Sequence, residues 1–270
     1  MKDYQPANLR VQEPHHSYRP GIRIPHVGIL HVHSNLSYDG QNTLAEIASL
    51  GKRRGYRFVG LSEHSDTFDQ HKMAHLVDEC RRLSDASFLM VPGLEFTCDN
   101  HLHLLALGIE HYTDAMNPAL VARFVKAQGG LAILSHPSRY GYQIPLGLEM
   151  LLDGIEVWNA GYDGRFIPND RSIRLWKSLH ARNNSLRAFG SQDLHAIADH
   201  RHVRVSVRCD QLTRDTILKS LKDGDFVISN SYVRLRSDSS PGWMKLHAIG
   251  AARRAYLSTK AIRDRVATTR

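Results

Sequence analysis

His31-Val32-His33 ends the apolar run HVGILHVH, and Asp193-Leu194-His195 follows the run LRAFGS. Side chains alternate along a strand, so each pair directs both polar groups to one side. Between the two pairs, His64 ends FVGLSEH, Glu95 closes SFLMVPGLEF, His103 opens HLLALGI and His136 ends GLAILSH. Imidazoles mixed with carboxylates, with no thiolate among them, are donors for Zn, Mn or Fe in a catalytic site, not for a closed structural zinc site. A lone His-x-His has a bland reading, two histidines filling a polar rim. Repetition weakens it here, because so many strand-end histidines and acids would be costly to bury without a cation.

The elements that must place these groups are legible as an alternation. Short apolar runs are separated by amphipathic stretches such as TLAEIASLGKRRG, HKMAHLVDECRRLSD, NPALVARFVKAQGG and TRDTILKSLKDG. Strand–helix repetition with continuous apolar strands predicts a parallel α/β architecture. Gly55, Gly129 and Gly224 are placed as helix stops. One or two metal-type ligands at each strand end is the pattern of a parallel barrel. A doubly wound sheet would gather its ligands at one switch point, usually beside a Gly-rich phosphate loop, and no GxGxxG or GxxxxGK[ST] is present. The barrel is the expected fold.

The ordered set HVHSNLSYDG, LSEHSD, PGLEFT, HLLALG, SHP and GSQDLH resembles the polymerase-and-histidinol-phosphatase (PHP) family of metal-dependent phosphoesterases, from about His26 to His195. The resemblance implies an α/β fold, a distorted seven-stranded (β/α) TIM-like barrel binding two or three divalent metal ions (Mn, Zn or Fe). It implies that His31 and His33 hold one ion with Glu95 and Asp193. Glu95 would bridge to a second ion held by His103 and His136, and Asp39, His64 and His195 would hold a third. GIEVWN, the LW of SIRLWKSL and TILKSLKDGDFVIS resemble the stand-alone branch, which includes enzymes that cleave carbamates and other non-phosphate esters. Two departures stand out: the usual TDHD reads Ser62-Glu63-His64-Ser65-Asp66, and the usual GSDxH has Gln192 inserted before Asp193. The Asp193-to-His195 spacing is kept, so the ligands are expected to survive.

The expected function is a metal-dependent hydrolase acting on a small phosphate ester, a nucleotide or sugar phosphate. Metal-activated water serves as nucleophile, and no side-chain nucleophile is evident. The alternatives are hydrolysis of a carbamate, carboxylic ester or amide at the same site, and a metal-stabilised scaffold recruited by its basic tail. An ordinary amidohydrolase barrel would need a bridging lysine, for which no good candidate exists. Asp66, beside His64, is read as a second-layer acceptor or proton shuttle. Arg139 could fork onto a substrate phosphate or carboxylate; the alternative reading of Asp66 and Arg139 is a surface ion pair or loop anchor. His200 and His202 could rim the pocket. Trp158 and Asn159 are candidate pocket residues, with Trp158 more naturally core. His101 competes with His103 as the ligand, while His15, His16, His71, His75, His111, His180 and His247 are read as solvated or interface residues.

Composition frames this. The 270 residues, 42% hydrophobic and 23% charged, are ordinary for a globular chain. No apolar run reaches the roughly 18 residues of a membrane span, and the N-terminus lacks the apolar core of a secretory signal. Cys80, Cys98 and Cys209 have no CxxC spacing, so a reducing, cytoplasmic setting is expected. Of the net charge of +8, six units fall between Arg236 and Arg270. The body is therefore nearly neutral, which with the missing stacking groove tells against a processive exonuclease. The expected division is a leader (1–25), a catalytic barrel (26–235) and a basic tail (236–270). From Trp243 the tail reads as an amphipathic helix able to dock on the barrel or touch an anionic surface or partner.

Overall fold

Helix starts in this chain carry their own caps, and these divide it into strand–helix units. Thr43 and Glu46 form a capping box, and Asp69, Asn117, Asn169 and Thr213 each accept a backbone N–H from the first turn that follows. The computed structural model describes residues 23–268, with side chains to residue 259, so nearly all of the expected leader lies outside the described residues. The elements run β1 (Ile24–Val32), α1 (Leu44–Arg53), β2 (Phe58–Leu61), β3 (Glu63–His64), α2 (Gln70–Leu83), β4 (Leu89–Val91), β5 (Gly93–Thr97), β6 (His103–Leu107), α3 (Pro118–Ala127) and β7 (Leu131–Leu134). They continue with β8 (Gly154–Asn159), α4 (Ala160–Asp163), α5 (Asp170–His180), β9 (Arg187–Ser191), β10 (Arg204–Cys209), α6 (Arg214–Asp223), β11 (Phe226–Ser229), β12 (Arg234–Arg236) and α7 (Trp243–Thr268).

The strands form two six-stranded sheets, β12-β11-β10-β1-β2-β4 and β3-β5-β6-β7-β8-β9. Both are mixed, which corrects the expectation of one parallel barrel. β6 runs antiparallel to β5 and β7, and β10 to β1 and β11. The reason is chain length: only residues 98–102 join β5 to β6, whereas a parallel return needs a crossover of about a dozen residues. Reversal also explains why His103 begins its strand. The start of an antiparallel strand lies at the same rim as the ends of its neighbours.

The two sheets are continuous at two places. Ser62 alone separates β2 from β3 and Pro92 alone separates β4 from β5, so the β2–β4 pairing resumes as β3–β5. Residues 192–194 run on from β9 and bond β1: Gln192 N donates to Leu30 O at 2.9 Å, Leu194 N to His31 O at 3.1 Å, and His33 N to Leu194 O at 2.9 Å. Trp158, Trp176, Phe58, Phe88, Phe96 and Phe189 are fully buried in one core; Trp158 is thus core, as read.

Helix α7 packs on α5 through buried Leu246 and Ile249. A Cβ on Gly250 would lie 2.9 Å from Asp170 Oδ2, so the missing side chain is what lets the two helices approach. Arg253, one of the basic residues of the tail, reaches inward and donates to Asp163 O at 2.8 Å and Asp163 Oδ1 at 3.2 Å, because buried Asp163 needs a cationic partner. Among the described residues no helix is long and apolar enough to cross a membrane, and the three cysteines are free and buried.

Candidate metal centre

The site begins with a break in β1. The pairing of β1 with β2 shifts register between Ile29 and Val32, and His31 takes φ +62°. His31 and His33 still share a side, their ring centroids 5.1 Å apart, but a bulge and not simple alternation puts them there. His136 (φ +23°) and Asp193 (φ +51°) are likewise left-handed. Backbone strain of this kind, order 1–3 kcal/mol per residue, is held where surrounding structure over-determines it, characteristically at functional sites.

Glu95, on β5, is the hub. Its Oε1 lies 2.8 Å from His136 Nε2 and 3.0 Å from His103 Nδ1. Its Oε2 lies 3.4, 3.5 and 3.8 Å from His31 Nε2, His64 Nδ1 and His33 Nε2. Asp193 Oδ1 adds contacts of 3.3 Å to His31 Nε2 and 3.6 Å to His33 Nε2. At the more open rim, Asp39 Oδ2 is 3.2 Å from both His64 Nε2 and His195 Nε2, and the His195 ring stacks on His33 at 4.2 Å. Potential ligand atoms gather within 4.8 Å of one another in the sets His31–His33–Glu95, Glu95–His103–His136, His31–His136–Asp193 and His33–Asp39–His64–His195. His103, not the exposed His101, is the residue brought in. Relative to the expected ligand grouping, His33 also faces the rim set.

Polar atoms in this cluster test whether metal ions fit. His31 Nε2, both ring nitrogens of His33, His64 Nδ1, His103 Nδ1 and His136 Nδ1 are buried without a hydrogen-bond partner. Leaving such groups unpaired costs about 1–3 kcal/mol each, which a coordinated cation would offset. Electrostatics agree. Burial tends to lower the His31 pKa, but Asp193, Glu95 and Glu156 outweigh it and hold the ring well above the ordinary imidazole range. Burial tends to raise Glu95 and Asp193, yet the neighbouring histidines, His31 foremost, hold both carboxyls below their usual range. Burial takes His33 down to about 4. The pocket thus favours positive charge at its centre and keeps His33 neutral, the state a ligand needs.

Several supporting residues were not singled out from the sequence. Glu156, in GIEVWN, is fully buried: Oε1 meets His31 Nδ1 at 2.8 Å, and Oε2 accepts from His136 N and Asn159 Nδ2 at 2.8 Å each. With Nδ1 turned to Glu156, His31 presents Nε2 to the cluster. Glu63, one of the departures from the family motif, accepts from Ser34 N at 3.0 Å and Ser37 Oγ at 2.6 Å, tying down the loop after His33. The inserted Gln192 is buried; its side chain donates to the carbonyls of Arg201 and Val203 and accepts from Arg201 N at 3.0 Å. The insertion is therefore absorbed as a clamp on residues 201–203, and Asp193 stays in the cluster. Glu156→Gln is expected to weaken metal binding about 10–100-fold while the fold persists, checked by metal titration of the variant beside its circular dichroism.

The remaining candidates lie around the mouth. Asp66 is exposed and accepts from Thr97 Oγ1 at 3.0 Å. Arg139 donates to Tyr162 Oη at 3.3 Å, and the Tyr162 ring lies 4.4 Å from that of His136. His202 is exposed, its ring 5.4 Å from His200, which pairs with Tyr56 Oη at 2.9 Å. A cleft of about 290 Å³ beside the cluster is lined by Asp193, His195, Tyr162 and Arg201 among others. Arg201, not His202, is the cation that lines it. The Gln192 clamp on the Arg201 backbone holds that segment beside the cleft.

No family model and no curated protein matches the sequence. Solved structures do. A two-domain protein from Bacteroides vulgatus ATCC 8482, containing a predicted PHP-like metal-dependent phosphoesterase, matches with a TM-score of 0.59 and 18% identity over 77% of this chain and 65% of that one. The chain thus spans about two thirds of that protein's length. PsfC from Pseudomonas syringae PB-5123 matches with a TM-score of 0.55 and 18% identity over 86% of this chain and 99% of that one. The chain has a PHP-like fold. The resemblance read from the motifs agrees with it.

Proposed function

We propose that this chain is a metal-dependent hydrolase of the PHP type, acting as a phosphoesterase on a small phosphate ester. The observation that carries the reading is Glu95, whose two oxygens face separate histidine sets, His103 and His136 on one side and His31, His33 and His64 on the other. A carboxylate so placed suits a bridge between two cations. His31, His33, Glu95 and Asp193 would hold one ion, Glu95, His103 and His136 a second, and Asp39, His64 and His195 a third at the rim. Bound divalent ions supply Lewis acidity and a water that ionises near neutral pH. The protein's own contribution is orientation: Glu156 fixes His31, Gln192 holds the loop carrying Arg201, and Arg201 and Arg139 place positive charge at the mouth for an anionic ester.

The same reading takes residues 26–235 as the catalytic unit, arranged as a distorted (β/α)7 TIM-like barrel, and 236–270 as an appended tail. It places the enzyme in the cytoplasm, in keeping with its three free thiols.

The test is hydrolysis of matched 4-nitrophenyl esters of phosphate, acetate and N-methylcarbamate by protein loaded with Mn, Zn or Fe. Asp193→Ala is expected to remove phosphate turnover by at least about 10²-fold, since it takes a buried charge from the cluster. Phosphate turnover equal in wild type and variant would overturn the assignment. Carbamate or acetate turnover without phosphate turnover would leave the hydrolase and replace the substrate class.

A further inference from the structure

We propose that the cleft between the loop after α4, residues 198–201 and helix α7 is a leaving-group subsite, and that the group it takes is a nucleoside. This rests on the phosphoesterase reading above and names the substrate class within it. The cleft encloses about 470 Å³, in the range of small-molecule sites, and shares Gly161, Tyr162, Asp199 and Arg201 with the cleft beside the metal ligands. One molecule can therefore reach from the cluster into it.

The walls select a planar, polar group. Phe166 and Tyr256 are set edge to face with centroids 6.0 Å apart, and the Arg165 guanidinium lies 4.9 Å over the Phe166 ring. Aromatic rings and a guanidinium plane together form a surface on which a base stacks. Asp199 and Arg201 lie on the side shared with the metal cleft, where the hydroxyls of a ribose would fall. The walls are also held in place. Gly164, at φ +91°, would carry a Cβ only 3.2 Å from the Tyr256 ring, so its missing side chain lets α7 seat there. Trp158 Nε1 donates to Gly164 O at 2.9 Å, and Asn230 Nδ2 to Arg165 O at 2.9 Å and Phe166 O at 3.1 Å. Arg253 ties the helix to Asp163 below. A rigid wall lowers the ordering cost of binding.

Two measurements on the full chain test this. In the first, kcat/KM is compared for adenosine 5′-monophosphate, ribose 5-phosphate and 4-nitrophenyl phosphate. Tyr256→Ala and, as a variant that keeps both aromatic rings, Arg165→Gln are each expected to lower the adenosine 5′-monophosphate value about tenfold relative to 4-nitrophenyl phosphate. Trp243→Ser, at the exposed start of α7, should leave the ratio unchanged. In the second, adenosine alone is titrated into wild type, Tyr256→Ala and Asp193→Ala; binding should weaken in the first variant and persist in the second. Adenosine binding that depends on Tyr256, in a protein that hydrolyses none of the esters, would support the subsite while overturning the phosphoesterase reading. Ester hydrolysis with no adenosine binding to wild type would overturn the subsite and leave the enzyme. A Tyr256→Ala loss as large for ribose 5-phosphate as for adenosine 5′-monophosphate would overturn the nucleoside assignment.

Discussion

Glu95→Gln should abolish hydrolysis. The side chain keeps its volume and loses one unit of charge at the point where five histidines converge within 2.8–3.8 Å. Breaking a buried charge interaction costs about 3–5 kcal/mol, equivalent to about 10²–10⁴ in affinity or rate. Because the carboxylate serves two ligand sets, the substitution should lower the number of tightly bound ions and not merely their affinity. The measurement is metal content after dialysis, alongside turnover of 4-nitrophenyl phosphate. A variant that retains wild-type metal content and more than a tenth of the activity would refute Glu95 as a bridge. Asp39→Asn, at the more open rim, makes the contrast: it should spare the inner ions and affect only the third.

Metal removal should be the largest effect on stability. A ligand that binds only the folded state stabilises it by about 4 kcal/mol at a thousandfold excess over its Kd. For a chain of this size each kcal/mol is about 2–4 °C in Tm. Chelation is therefore expected to lower Tm by roughly 8–16 °C, with recovery on adding Mn or Zn but not Ca, which prefers an all-oxygen shell. The sign of the pH effect follows from the site. His31 holds its proton more tightly than an ordinary imidazole because Asp193, Glu95 and Glu156 surround it, so that proton must leave before Nε2 can coordinate. His33, held near 4 by burial, is already neutral at pH 7. The gain in Tm on adding metal should thus shrink as pH falls from 8 toward 6. A metal-induced shift independent of pH over that range would count against His31 as a ligand.

Much of the site was legible in the chain because donor chemistry belongs to residue type. Imidazoles and carboxylates at the ends of apolar runs named eight of the candidate ligands, the family resemblance added Asp39, and the structure brings these groups close together. The strands themselves were legible for the same reason: continuous apolar runs need burial on both faces. The direction of β6 was not, because an apolar run reads alike in either sense, and only the short 98–102 connection settles it.

Partnership was beyond the sequence. Glu156 and Glu63 look like ordinary acids inside apolar or loop segments until their burial and contacts with His31, Ser34 and Ser37 are known. Nothing in the basic tail marks Arg253 off from its neighbours, and only the packing of α7 on α5 brings it to Asp163. Gln192 read as an insertion that disturbed a motif, and the fold uses it to hold Arg201 beside the cleft. The chain by itself determined which donor types the site is built from. Only the tertiary structure decided which charges are paired and which helix walls the cleft, since pairing depends on distances between residues as far apart in the chain as His31 and Glu156 or Asp163 and Arg253.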